Sequence, residues 1–246
     1  MSNYTILRPD HHQNLSVDMS RSAALGDEVS QVLTYPLEFR DIQSCYPIFF
    51  IKDPETAAFM PVALLGLNTG QNLFLVDDVW DAHYIPKLIE RNPFLIAKPS
   101  YPNPDQTSQP KLSIDLDSPR VTEGRGEALF DSDGTPTEFL ENIIAMMQRI
   151  HQGLEHGAQL SKALVAHELL EPMTVNLTLA DGESKVLEGF YTIAEERLFN
   201  LPGEALQTLN QAGFLQPIYM AIASFSRLNE LMARSNSAKH QPAELL

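Results

Sequence analysis

The chain has 246 residues, 43% of them hydrophobic, so it is long enough to bury a sizeable core in one large domain or two small ones. Lys and Arg number 17 against 32 Asp and Glu, a formal net charge of −15. That balance argues against nucleic acid and against anionic membrane surfaces, which both call for a basic footprint, and it favours neutral or basic partners.

The opening, Met1 to Gln13, has no cationic stretch, no apolar core and no small-residue cleavage site, so it does not read as a signal peptide. The first half then reads as strands punctuated by turns. A short helix is predicted over Pro36–Ser44, followed by strands at Pro47–Ile51, Pro61–Leu67 and Leu73–Val76. A second short helix is placed at Ile85–Arg91, and further strands at Phe94–Ala97 and Leu112–Leu116. Strands this close together suggest antiparallel pairing. Between the last two lies Lys98–Pro110, a loop with Pro99, Pro102, Pro104 and Pro110.

The second half reads as mostly helical. Thr135-Pro136-Thr137-Glu138 has the form of a capping box with Pro at the first helical position. Phe139, Ile143 and Met147 then share one face, with Leu140, Ile144, Ile150 and Leu154 beside them. A separate helix is expected from about Ala158 to Leu170, stopping before Pro172. Thr174–Leu179 and Lys185–Tyr191 flank Asp181-Gly182, a hairpin signal. Helices follow at Gly203–Gln211 and along Ile218, Ile222, Phe225, Leu228 and Met232. Ser235–Leu246 reads as a frayed tail. No run approaches the roughly 18 apolar residues that a membrane helix requires.

Metal chemistry finds little support among the seven histidines. His11 and His12 are adjacent and point in different directions. His151 and His156 are poorly placed around a helix for one ion. His167-Glu168 lacks the second His of a zinc helix, and Asp131–Leu140 lacks the first and last ligands of a calcium loop. No phosphate loop, dinucleotide fingerprint or nucleophile elbow is present, so no cofactor and no catalytic residue is assigned. Cys45, the single cysteine, excludes an intrachain disulfide and points to a reducing compartment; nothing local lowers its pKa, and a packed, inert thiol is the simpler reading.

One constellation stands out. Asn72, Asp77, Asp78, Trp80, His83, Tyr84 and Arg91 fall close together at strand ends and in a loop, and they include the single Trp. Aromatic and Arg residues are enriched at binding hot spots, which makes Asn72, Trp80, His83, Tyr84 and Arg91 candidate ligand or partner contacts. The structural alternative is that Trp80 and Tyr84 anchor the core and Arg91 pairs with an acidic neighbour.

The same residues carry a family resemblance. Glu38-Phe39 with Tyr46-Pro47-Ile48-Phe49, Ala63–Gly66, Asn72-Leu73-Phe74, Trp80 with Tyr84-Ile85-Pro86, and Arg91 with Pro93-Phe94 resemble the bacterial SapC family. So do Asp115, Leu129–Asp131 with Gly134, Gly189–Tyr191 and the early His12. The proline-rich loop departs from the family, as does Glu90, which stands where the family usually has a basic residue; that argues against an anionic ligand there. The family takes its name from a protein associated with bacterial surface layers. Its members are often encoded beside flavin-dependent tryptophan-halogenase-like proteins and TonB-dependent receptors, and it offers no established catalytic residues to carry over. It is distinct from the peptide-transport permease of the same name.

The expectation is therefore an α+β protein. An antiparallel, partly barrel-like sheet occupies the N-terminal half, with helices and a β-hairpin in the C-terminal half. Residues 1–246 read as a single domain sharing one core, with a sub-division at the 98–110 loop. The expected function is that of a soluble, cytoplasmic, non-catalytic binding or accessory protein partnered by a flavin-dependent halogenase-like enzyme, without nucleic acid or membrane insertion. The alternatives are a small-molecule enzyme whose site is built from scattered residues, and a component of surface-layer assembly or export.

Overall fold

A computed structural model describes residues 3–97, 111–178, 182 and 184–240; the proline-rich loop Lys98–Pro110 and Asp181 of the expected turn lie outside them. The chain divides into two compact units, one of Met1–Asp27 with Lys87–Gln152, the other of Glu28–Pro86 with Gly153–Leu246. Strands and helices are numbered along the chain.

The first unit holds two small antiparallel sheets. In one, β1 (Tyr4–Ile6) pairs with β9 (Lys111–Asp115), which pairs with β8 (Phe94–Ala97). In the other, β2 (Leu15–Val17) lies between β10 (Val121–Glu123) and β11 (Glu127–Ala128). Short helices α1 (Pro9–His12) and α3 (Lys87–Glu90) complete it, with the first part of the long helix α4 (Glu138–Ala166). Its core contains a charged residue. Arg120 and Asp27 are both 0% exposed, and Arg120 Nη2 donates to both Asp27 carboxylate oxygens at 2.7 Å. Arg120 Nη1 donates to the carbonyls of Asp18 and Ser20 at 3.0 and 2.7 Å, while Arg21 approaches Asp27 at 3.5 Å. These bonds offset much of the desolvation that full burial imposes on both ions, although Arg120 Nε has no partner among the described residues.

The second unit is organised around a five-stranded antiparallel sheet in the order β12 (Leu170–Thr178), β13 (Ser184–Ile193), β4 (Ile48–Lys52), β5 (Phe59–Leu64), β3 (Gln31–Leu33). The late hairpin β12–β13 therefore adds to strands from early in the chain, with Phe190 opposite Ile51 and Tyr191 opposite Phe50. A two-stranded ribbon, β6 (Leu75–Val76) with β7 (Val79–Trp80), stands apart from this sheet. Helix α7 (Leu215–Ser224) packs on α2 (Phe39–Cys45) and on β4 and β13. It is pinned there because the buried Ser224 hydroxyl accepts from the Ile48 amide at 2.8 Å. Helices α5 (Glu195–Phe199), α6 (Gly203–Gln211) and α8 (Leu228–His240) complete the unit.

The mixed helix-and-sheet class and the antiparallel pairing agree with the expectation, but among the described residues no sheet closes into a barrel. Several local readings need correction. Thr137, not Thr135, caps α4, accepting from the Leu140 amide at 3.3 Å; Pro136 instead bridges to Phe130. The helix expected from Ala158 is the continuation of α4, which passes through Gly153 and Gly157 without a break. A Cβ at Gly153 would fall 2.2 Å from the Tyr35 ring, so glycine is there for close approach. The last helix is two, α7 and α8, joined by a tight turn at Phe225–Arg227. Helix α8 also runs past Ser235 to His240, into the segment read as a frayed tail. Among the described residues, no helix is long and apolar enough to cross a membrane.

Candidate functional site

The constellation read from the sequence divides between the units. Asn72, Trp80, His83 and Tyr84 belong to the second; Arg91 belongs to the first, where it is half-buried and its Nη1 donates to the Phe94 carbonyl at 2.5 Å. Burial pulls its guanidinium below the ordinary arginine range.

Asn72 is a local organiser. Its side chain is buried and Oδ1 accepts from the Phe74 amide at 3.0 Å, turning the chain into β6. The ribbon then reverses at Asp77-Asp78, with φ values of 50° and 58°. Two successive left-handed residues make the tight turn that suits a two-residue hairpin, a conformation that Gly, and after it Asn and Asp, adopt more readily than other residues. Val79 at this tip is 63% exposed and Val76 38%.

Behind the tip, Trp80 begins a buried relay. Its indole Nε1–H donates to the Tyr46 hydroxyl at 2.9 Å, and that hydroxyl donates to the Tyr84 carbonyl. The Tyr84 hydroxyl donates to Glu38 Oε1 at 2.9 Å, and the Thr34 hydroxyl donates to Glu38 Oε2 at 2.9 Å. Glu38 is 3% exposed, so its carboxylate draws on these hydroxyls in place of water. Burial pushes both phenols above the ordinary tyrosine range, and for Tyr84 the neighbouring Glu38 charge adds to the rise. Trp80 and Tyr84 are thus tied into the core, and both phenols stay protonated at neutral pH.

His83 sits beside α2. The Ser44 hydroxyl donates to the Asp41 carbonyl at 2.5 Å, so at 2.9 Å it accepts from His83 Nε2–H. Cys45 Sγ lies 3.4 and 3.5 Å from Nε2 and Nδ1. A sulfur at equal distance from both ring nitrogens lies over the ring rather than on the lone pair of either, so the pair is not aligned for proton transfer. Burial pushes the Cys45 thiol up, and the Ser44 contact offsets this in part. A thiol held that way is a poor nucleophile.

The ribbon and α8 together line a cleft of about 650 Å³. Glu28, Asp77, Asp81 and Glu230 supply carboxylates, and Arg234 lies among them. Arg234 donates to Asp81 Oδ2 at 2.6 Å, to the Asp81 carbonyl at 3.0 Å and to Glu230 Oε1 at 3.2 Å, with its guanidinium carbon 4.4 Å from the Phe74 ring centre. It is a clamp between helix and ribbon, and the cleft keeps an excess of negative charge.

Among the described residues, no group of three or more His, Cys, Asp or Glu is placed to hold a metal ion. His12 is used locally, its Nδ1 accepting from the Arg8 amide at 3.0 Å. Glu38, Tyr46, Phe74 and Arg234 are the residues that the site reading passed over. Glu38 carried one visible signal, a carboxylate set within the apolar run Tyr35–Phe39; Arg234 carried none, since its partners lie far away in sequence.

Comparison with curated proteins and with solved structures finds no match. The SapC family model matches residues 7–231, which takes in the ribbon and the buried relay but stops short of Ala233, Arg234 and Ser237 of the cleft. The chain belongs to the SapC family.

Proposed function

We propose that this protein is a non-catalytic binding or accessory protein whose contact surface is the Asp77-Asp78 tip of the β6–β7 ribbon and the acidic cleft beside it. The observation that carries this reading is the contrast between tip and base. At the base, the groups that would otherwise serve in catalysis are committed to internal bonds or, like Cys45 and His83, are out of line. At the tip, two strained acidic residues are held between two exposed valines. Strained backbone persists where surrounding structure enforces it, and it is enriched at sites that bind. Apolar residues flanking charge give such a surface both attachment and orientation.

The partner proposed is a flavin-dependent halogenase-like enzyme of the kind encoded beside family members, meeting the acidic cleft with a basic patch. A cytoplasmic setting accompanies this reading, since the lone Cys45 has no need of an oxidising compartment. The action is differential binding: a protein that binds one form of its enzyme shifts the population by its difference in affinity for the two forms.

Calorimetry with the purified neighbouring flavoenzyme tests the proposal. Association is expected to weaken as salt rises, and Asp77→Lys with Asp78→Lys is expected to weaken it by about tenfold or more while the melting curve is retained. Absence of association, together with substrate turnover by this protein alone, would replace the accessory reading with an enzymatic one.

A further inference from the structure

In the first unit, Ile144, Met147, Gln148, His151 and Gln152 recur along α4 at the spacing of a single helical face. Ile96 and Leu112 are cross-strand partners on β8 and β9, so their side chains stand together on one side of that sheet. These seven residues line a cavity of about 520 Å³, well inside the roughly 300–1,000 Å³ typical of small-molecule sites.

The lining is graded. Met147 is buried at its base, while Ile96, Leu112 and Ile144 are aliphatic and only half-covered by the rest of the unit. Farther along the helix the same face turns polar, with two carboxamides and an imidazole. Among the described residues, no carboxylate, ammonium or guanidinium lines the cavity, although the chain carries a formal charge of −15 and the cleft beside the ribbon is rimmed by four acids. A charged ligand entering here would give up hydration with no counter-charge among these residues to replace it. An apolar one covers the aliphatic floor, and the carboxamides, each both donor and acceptor, meet polar atoms at its other end.

We propose that this cavity is a binding site for an uncharged, largely apolar small molecule with hydrogen-bonding groups at one end. The site lies outside the ribbon and cleft assigned to the protein partner, so the two assignments stand or fall separately.

Nile red, a neutral planar dye, is the probe, titrated into the full chain and followed by fluorescence. The expected result is saturable, blue-shifted binding whose affinity is the same at low and high salt. Gln148→Trp fills the cavity from an exposed position, and Ile144→Lys places a charge against its floor. Each is expected to lower dye affinity by about tenfold or more. Gln148→Trp is also checked by circular dichroism for an unchanged melting curve, and it decides the matter if Ile144→Lys does not fold. Failure of the full chain to bind the dye saturably would overturn the proposal, as would equal affinity in a folded Gln148→Trp variant. A third arm replaces residues 98–110, which join β8 to β9, with a Gly-Ser linker of the same length. Unchanged affinity supports the small-molecule site; a gain of about tenfold would assign the cavity to the chain's own segment and overturn it.

Discussion

Among the described residues, Arg120 is the largest fully buried side chain, and it sits in the first unit against an equally buried Asp27; in the second unit Glu38 is a buried charge met by hydroxyls. The first arrangement uses one ion to satisfy another, with Arg21, the Ser22 amide and the carbonyls of Asp18 and Ser20 in support. The second spreads a single charge over neutral donors that are themselves braced by Trp80 and Tyr46. An ion pair sealed from water fails abruptly when one member is removed, because a whole charge is stranded. A hydroxyl relay fails by single bonds.

The steepest test of that difference is Arg120→Met, which leaves Asp27 to the more distant Arg21 at 3.5 Å and the Ser22 amide at 3.0 Å. It is expected to cost about 3–5 kcal/mol in chemical denaturation. The double variant Arg120→Met with Asp27→Leu should recover much of the loss, and if it does not, the charges are not what the pair contributes. In the second unit the matching extreme is Trp80→Ala, expected to cost about 3–5 kcal/mol through the cavity it leaves. If that variant melts normally but loses a partner, Trp80 is a contact residue and the relay is incidental.

Tyr84→Phe is milder. It removes one of the donors to Glu38 and is expected to cost about 1–3 kcal/mol. It also carries a pH signature. Both Tyr46 and Tyr84 have folded-state pKa values raised above the unfolded value near 10, so the native state holds those protons longer than the unfolded chain does. Their contribution is fully present below about pH 10 and declines as pH rises beyond it. Thermal melts from pH 9 upward should show this fall, with a shallower slope in Tyr84→Phe; equal slopes would mean that Tyr84 ionises as freely in the folded state as in the unfolded one.

The smallest effect has the opposite sign. Asp78→Gly relieves a left-handed aspartate at the ribbon tip and is expected to stabilise by about 0.5 kcal/mol, the relief of strain outweighing the greater freedom of glycine in the unfolded chain. Stabilisation together with weaker partner binding would show that the strained turn is kept for contact. Stabilisation without it would leave the tip as a turn alone.

The sequence disclosed the elements whose signals are local. The β4 strand and helix α6 carry their own periodicity or flanking glycine and appear where expected, α6 to the residue; the β12–β13 hairpin also forms, but β12 begins at Leu170, within the stretch expected to be helical and four residues before the expected strand. Strands β1, β2, β3, β10 and β11 have three residues or fewer, too short for alternation to register, and each exists because a distant partner pairs with it. The break expected between Leu154 and Ala158 does not occur; Gly153 lies there under the Tyr35 ring, a need that no local pattern reveals. The candidate site divides the same way. Asn72, Trp80, His83 and Tyr84 were visible as a run of polar and aromatic residues, whereas Arg234 takes its meaning from Asp81, remote in sequence.

The position of β13 next to β4 also sets an order of events during synthesis. When Ile48–Lys52 and Phe59–Leu64 leave the ribosome they can pair with each other and with β3, but the outer edge of β4, bearing Phe49 and Phe50, has no neighbour until all of α4 and β12 have been made. An apolar strand with an open edge is a template for unwanted pairing, and translation at about 5–20 residues per second leaves it open for seconds. Nascent chains stalled before residue 184 should therefore be the most aggregation-prone and the most dependent on chaperones, and release past Ile193 should close that interval.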